Sequence, residues 1–230
     1  MQNNKYVISL GGSVLAPDEI NTKLLKEFCI TIKKEVKRGN KFIIIVGGGG
    51  VCRRYQQAAS LAGNVSDENK DWLGIQATRL NAQLLTGVLK SYKIKVLFQE
   101  TFNSKSFGKY AIIVSGGLKP GNSTDFAAVK SAVSMKIGMV INLGKPHYVY
   151  TSDPSKDKTA KPIKELTWTE YFKIIPSKWT PGLNTPFDPI ASRLAKKHNI
   201  TVIVADGKNL KNFKNILENK KYRGTTIQNR

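Results

Sequence analysis

The amino-acid sequence predicts an α/β protein built from β-α-β units, on three observations. Short β-branched and aromatic runs recur along the chain, glycine-rich turns follow several of them directly, and segments with helical apolar spacing lie between them. The stretch Lys41 to Tyr55, KFIIIVGGGGVCRRY, combines all three. Phe42 to Val46 is an unbroken apolar run, as in a strand buried on both faces. Gly47 to Gly50 follow, and Val51 to Leu61 reads as a helix. A strand feeding a glycine turn and a helix N-terminus offers bare backbone N–H groups and a positive dipole end, which suit a phosphate. Glycine lets that backbone come close. Arg53 is expected in the helix's first turn, either forking onto phosphate oxygens or lying on a solvated face.

The other elements follow in order. Lys5 to Leu10 is a strand, and Gly11-Gly12-Ser13 is a second glycine turn. Asn21 or Thr22 caps a helix running to Arg38, with Leu24, Leu25, Phe28, Ile32 and Val36 as its apolar stripe and Gly39-Asn40 as its stop. The result is a β-α-β unit with a glycine turn at each strand's C-terminal end, where parallel sheets bind ligands. Asp67 to Ser91 reads as a long helix on which Asp71, Gly74, Ile75 and Thr78 share a stripe. Asp71 is there either an acceptor for sugar hydroxyls or an ordinary exposed acid. Strands at Ile94 to Phe98 and Tyr110 to Val114 bracket a polar connector, and the second enters a third glycine-rich turn, Gly116 to Asp125. Asn122, Ser123 and Thr124 in it are N-cap residues for a helix from Phe126 to Lys136, and also donors for a base or a phosphate.

Met139 to Leu143 is the next strand, and Gly144-Lys145-Pro146-His147 leads on to Tyr150 and Asp153. A lysine-rich loop through Lys156, Lys158 and Lys161 comes next, then an irregular stretch from Pro176 to Pro189 that includes Trp179. Asp188-Pro189 opens a helix as cap and first-turn proline. Thr201 to Ala205 is a last buried strand, Asn209 to Asn219 a last helix, and Gly224 to Ile227 a closing edge strand.

With 230 residues and 40% hydrophobic content, the chain can hold one large α/β domain or two lobes sharing a sheet. The net charge of +21 favours polyanions and nucleotides as a class. The lysines are scattered, at Lys33, Lys90, Lys119, Lys196 and Lys220 for example, so no specific nucleic-acid partner is expected. Cys29 and Cys52 form no CxxC pair, which fits a reduced, cytoplasmic setting, and no apolar run approaches membrane-spanning length. Neither GxGxxG at Rossmann spacing nor GxxxxGK[ST] occurs, so phosphate binding here rests on neither fingerprint.

The segments ISLGGSVL, IIVGGGG, DWLGIQATRLNAQLL, PGNSTDFAAV, VYTSDP and GTTI stand in one order. Together they resemble the uridylate kinases, especially the archaeal-type branch of the amino acid kinase superfamily, over essentially the whole chain. The resemblance implies a three-layer αβα sandwich with a mainly parallel central sheet. Residues 1–136 would form an N-terminal lobe for UMP and oligomerisation, and 137–230 a C-terminal lobe for ATP. It implies transfer of the γ-phosphoryl group of ATP to UMP in pyrimidine nucleotide synthesis, Mg²⁺ carried mainly on the ATP phosphates, and a homohexamer built from dimers.

By the same resemblance, Gly11, Gly12 and Ser13 match the turn that meets the transferring phosphate. Gly48 matches a UMP contact, Gly49 and Arg53 match phosphate contacts, and Asp71 matches the acid on the UMP ribose. Leu118, Lys119, Pro120, Gly121, Asn122, Ser123 and Thr124 match the loop around UMP. Gly144, Lys145, Tyr150 and Asp153 match the nucleoside-triphosphate site, and Asp188 an acid near the reaction centre. The residues implied in catalysis are Gly12, Ser13, Arg53, Lys145 and Asp188. The chain departs from the pattern at Ser9, an ATP-site position where many members carry lysine, at Gly50, where lysine often follows the glycines, and at His147, where aspartate is usual. Lys145 is expected to supply the missing positive charge. A sister kinase with another acceptor, or a molybdate and tungstate storage protein on the same fold, is the alternative implied.

Overall fold

The computed structural model describes residues 4–100, 108–145, 147–177 and 185–229. Its strands are β1 (Lys5–Leu10), β2 (Lys41–Val46), β3 (Val96–Phe98), β4 (Ile112–Ser115), β5 (Met139–Gly144), β6 (Val149–Tyr150), β7 (Pro162–Ile163), β8 (Glu165–Thr167), β9 (Thr201–Asp206) and β10 (Thr225–Gln228). Its helices are α1 (Gly12–Leu15), α2 (Thr22–Lys37), α3 (Gly49–Ala62), α4 (Asp67–Ser91), α5 (Thr124–Ser134), α6 (Trp168–Ile174), α7 (Pro189–Lys197) and α8 (Leu210–Leu217).

Eight strands form one sheet in the order β3-β4-β2-β1-β5-β9-β10-β8, and β6 pairs with β7 in a separate ribbon. Every pairing in the large sheet is parallel except that of β9 with β10. Alternation along the strands sends side chains to two cores. Ile8, Leu10 and Ile44 meet Phe28 of α2, Leu85 of α4 and Phe213 of α8 on one face. Val7, Ile43 and Ile45 meet Ala128 of α5, Trp168 of α6 and Ala191 of α7 on the other. Helices therefore cover both faces, which makes the expected three-layer αβα sandwich around a mainly parallel sheet.

Two sequence readings need correction. The Gly224 to Ile227 segment was expected at the sheet edge, but β10 lies between β9 and β8. The reason is that β8 adds a parallel strand outside it, pairing Leu166 with Ile227. Pro162–Ile174, which carried no expected element, holds β7, β8 and α6. Its start is nevertheless written locally, because Thr167 and Glu170 form a reciprocal capping box ahead of α6. Pro146, Trp179 and most of the connector after Phe98 lie outside the described residues.

Among the described residues no helix is long and apolar enough to cross a membrane. The chain leaves β1 toward β2 and returns to β5 on the other side of β1, so the C-terminal ends of these strands border a switch point, where open α/β sheets bind ligands.

Candidate active site

The three glycine turns follow β1, β2 and β4, which are neighbours in the sheet. Backbone meets backbone there. A Cβ on Gly12 would lie 2.0 Å from the Gly49 nitrogen, and Gly49 itself has φ +64°. No other residue type fits those two positions without displacing main chain. The turns are tied by Gly47 N–H to Leu10 C=O (2.9 Å), Gly50 N–H to Ala16 C=O (2.8 Å) and Gly11 N–H to Leu143 C=O (2.8 Å). No side chain caps α3 and no acid stands in its first turn, so its dipole is not offset locally.

Together the turns open a cleft of about 640 Å³. Gly12, Ser13, Gly48, Gly49, Arg53, Asp71, Lys119, Asn122, Ser123 and Thr124 all line it, so residues expected at the ATP phosphates and residues expected around UMP share one wall. Leu118, Pro120 and Gly121 are in the same loop but not on the wall. The stripe inferred on α4 also faces the cleft, through Asp71, Gly74, Ile75 and Thr78.

Arg53 requires a correction. Because α3 begins at Gly49 rather than Val51, Arg53 sits two residues further in, in the second turn, and its Nη2 donates to the Pro17 carbonyl at 2.8 Å. Its guanidinium thus braces the segment after α1 while bordering the cleft. Asp71 Oδ2 accepts from Gly121 N–H at 2.8 Å, linking α4 to the third turn. Thr78 Oγ1 accepts from Gly117 N–H (2.7 Å) and donates to Ile75 C=O (2.6 Å).

Asn81 was missed by the sequence reading. Its Nδ2 donates to the carbonyls of Gly47 (2.9 Å) and Gly48 (3.1 Å), so α4 holds the central turn from outside. Its place one helical step beyond Thr78 was the available signal.

The expected triphosphate residues are more dispersed. Tyr150 and Asp153 line a groove of about 200 Å³ with Thr185 and Pro186, whereas Gly144 and exposed Lys145 stand apart from it at the end of β5. Asp153 Oδ1 accepts from the Ser155 N–H and hydroxyl, and the hydroxyl above all holds its carboxyl below the usual range. His147 Nδ1 lies 3.2 Å from Asp206 Oδ2, bridging the loop after β5 to the end of β9. Ser9 is buried, and its hydroxyl donates to Asp125 Oδ1 at 2.8 Å.

Asp188 caps α7, accepting from Ala191 N–H at 2.6 Å through Oδ1. Burial raises its pKa. Asp125, also missed from sequence because it looks like an ordinary first-turn helix acid, accepts from the Asp188 N–H at 3.2 Å. Burial foremost, and then the neighbouring Asp188 charge, push the Asp125 carboxyl up to about 6. Among the described residues no three acids, histidines or cysteines gather as a metal cluster.

The model of the amino acid kinase family matches residues 4–206, and the chain belongs to that family. It is 34% identical to a uridylate kinase of Methanocorpusculum labreanum over 229 residues, covering 98% of this chain and 96% of that one. To a uridylate kinase of Methanococcus aeolicus it is 35% identical over 208 residues, covering 88% and 91%. The uridylate kinase structure from Archaeoglobus fulgidus superposes with a TM-score of 0.78 at 29% identity, covering 97% of this chain and 99% of that one. A UMP kinase structure from Bacillus anthracis, at 23% identity and TM-score 0.80 over 98% and 96%, shares the fold.

Proposed function

We propose that this protein is a cytoplasmic UMP kinase, transferring the γ-phosphoryl group of ATP to UMP to give UDP and ADP in pyrimidine nucleotide synthesis. The observation that carries the proposal is the large cleft itself, where bare glycine turns and an uncapped helix N-terminus face Asp71 and the Asn122-Ser123-Thr124 segment. A nucleoside monophosphate presents the matching groups, a phosphate for the backbone amides and ribose hydroxyls for the carboxylate. The homology to proteins named uridylate kinase supports the same acceptor.

Phosphoryl transfer asks for alignment and charge neutralisation more than for covalent chemistry. In this reading, the turns at Gly12-Ser13 and Gly48-Gly49 fix the acceptor phosphate while Asp71 orients the sugar. Tyr150 and Asp153 border the nucleoside of ATP, and Lys145 brings a cation to its phosphates. His147 has only a structural role, since the transfer needs no base. Mg²⁺, when bound with ATP, supplies charge neutralisation on the phosphates.

We also propose assembly through α3 and α4, into dimers and then a hexamer. Tyr55, Leu61, Trp72 and Leu80 on these helices are large apolar side chains left exposed, Leu61 at 81%. Residues 55–65 contain no charge, so this face allows two copies of a +21 chain to approach. Light scattering should give an oligomer for the native chain and a smaller species for Leu61→Glu with Leu80→Glu; an unchanged mass would contradict this surface.

The activity is tested by ADP release from ATP and Mg²⁺ with UMP, CMP, dUMP or no acceptor at physiological salt. Release that requires UMP is the expected result. Tight ATP binding without release for any acceptor would contradict it and favour a storage protein.

A further inference from the structure

Asp125 and Asp188 come together where α5 and α7 begin, against Ser9 of β1. They are held by firm contacts, Ser9 Oγ to Asp125 Oδ1 (2.8 Å), Asp188 N–H to Asp125 Oδ2 (3.2 Å) and Ala191 N–H to Asp188 Oδ1 (2.6 Å). One oxygen is left over. Asp188 is only 4% exposed, yet its Oδ2 is buried with no hydrogen-bond partner among the described residues. Such an atom loses its hydration without compensation. Arg193, which acts on Asp188 through its charge, donates its Nη1 to the Ser177 carbonyl at 3.0 Å. Two acids, Asp188 buried and Asp125 half-buried, thus meet in a chain with 37 Lys+Arg against 16 Asp+Glu, without a directly bonded cation among the described residues.

The pair also lies beside the cleft. Ser123, which lines it, places its hydroxyl close enough to Asp188 to favour the ionised carboxyl, and Thr124, the residue before Asp125, is on the same wall. Mg²⁺ is a hard cation that keeps several waters and takes one or two carboxylates together with substrate phosphates. Two carboxylates behind the Ser123-Thr124 wall of the cleft, with Asp188 Oδ2 lacking a directly bonded partner among the described residues, match that demand; a cluster of three is not needed.

We propose that Asp125 and Asp188 are the protein's share of a divalent-cation site, holding the Mg²⁺ that arrives with the nucleotide. This rests on the kinase reading for the origin of the phosphates. Ser9 is then a positioning residue, fixing the Asp125 carboxylate through its hydroxyl. The cation places its charge against the two acids, and the phosphates complete its shell.

The test is calorimetric binding of a non-hydrolysable ATP analogue to the full-length protein, with Mn²⁺ in place of Mg²⁺ or with EDTA, paired with Mn²⁺ paramagnetic resonance. The native chain should bind the analogue about tenfold or more tightly with Mn²⁺ than in EDTA. Asp125→Asn and Asp188→Asn should each lose most of that gain and keep the affinity measured in EDTA. Asparagine is also a good N-cap, so Asp188→Asn preserves α7. Ser9→Ala, which keeps both carboxylates but releases Asp125 Oδ1, should lose part of the gain, less than either asparagine variant; a full gain would remove Ser9 from positioning the site.

An equal gain in native and both asparagine variants would overturn the assignment and leave the cation on the phosphates alone, with the kinase reading intact. Absence of analogue binding by the native chain under both conditions would overturn the kinase reading and this site together.

Discussion

The wide cleft beyond β1, β2 and β4 and the narrow groove beside β6 are built by different means. In the cleft, main chain packs on main chain, and the Cβ missing from Gly12 would fall 2.0 Å from a neighbouring nitrogen. Beside the groove, β6 spans two residues and Asp153 bonds its own loop; Gly144, apart from the groove at the end of β5, is equally loose, for a Cβ added there would meet nothing nearer than Asn142 Oδ1 at 3.7 Å. A buried parallel sheet thus leaves the glycine turns little room to move. The far end is shaped by side chains and short loops, which tolerate change. The contrast suits a site in which one ligand must be aligned and the other chiefly held.

The harshest test of that contrast is a pair of alanines. Gly12→Ala should cost the fold about 3 kcal/mol or more and abolish turnover, because main chain must move. Gly144→Ala should change stability by less than about 0.5 kcal/mol. Thermal denaturation of both variants checks this, and similar losses would erase the distinction.

Lys145→Ala comes next. Loss of the cation expected at the ATP phosphates should lower kcat by about a hundredfold, the scale of one electrostatic stabiliser. Unchanged turnover would remove Lys145 from the mechanism. Asp71→Asn should act on the other ligand, raising KM for UMP about tenfold while KM for ATP stays level. Steady-state kinetics with each substrate varied would separate the two; a rise in KM for ATP would place Asp71 on the wrong side.

The smallest effect is one of pH on the metal-free protein. The Asp125 carboxyl titrates at about 6 in the fold and at 3.8 by ordinary measure. Over that interval the folded state binds the proton more tightly, so this group's contribution to stability is lost as pH rises through about 6. Asp125→Asn cannot ionise. In EDTA its melting temperature should therefore gain on the native chain by about 2–4 °C between about pH 5 and pH 7.5, roughly 1 kcal/mol. A pH-independent difference would contradict the burial argument.

Much of this was legible from sequence because it is local. The runs at Phe42–Val46 and Thr201–Ala205, the caps at Ser123 and Asp188, and the bounds of α4 depend on neighbours within a few residues. What escaped depends on distant partners. Asp125 becomes distinctive only through Ser9, far away on β1, and Asn81 only through the carbonyls of Gly47 and Gly48. β10 looked like an edge because its outer neighbour β8 is three residues long, too short for a periodic signal. Arg53 was placed two residues too near the helix start because two glycines, poor helix formers, begin α3.

The central claim is that the wide cleft takes the acceptor nucleotide, and Cys52 offers a direct probe of it. Burial pushes both thiols up, Cys29 to about 12, but Cys52 is only half-buried, on the cleft wall, whereas Cys29 is fully buried, so alkylation at alkaline pH should report Cys52. The measurement is the rate of Cys52 alkylation by mass spectrometry with UMP, with ATP and Mg²⁺, or with neither. UMP should slow the reaction markedly and ATP with Mg²⁺ should not. Protection by ATP alone, or no protection by UMP, would contradict the assignment of the cleft.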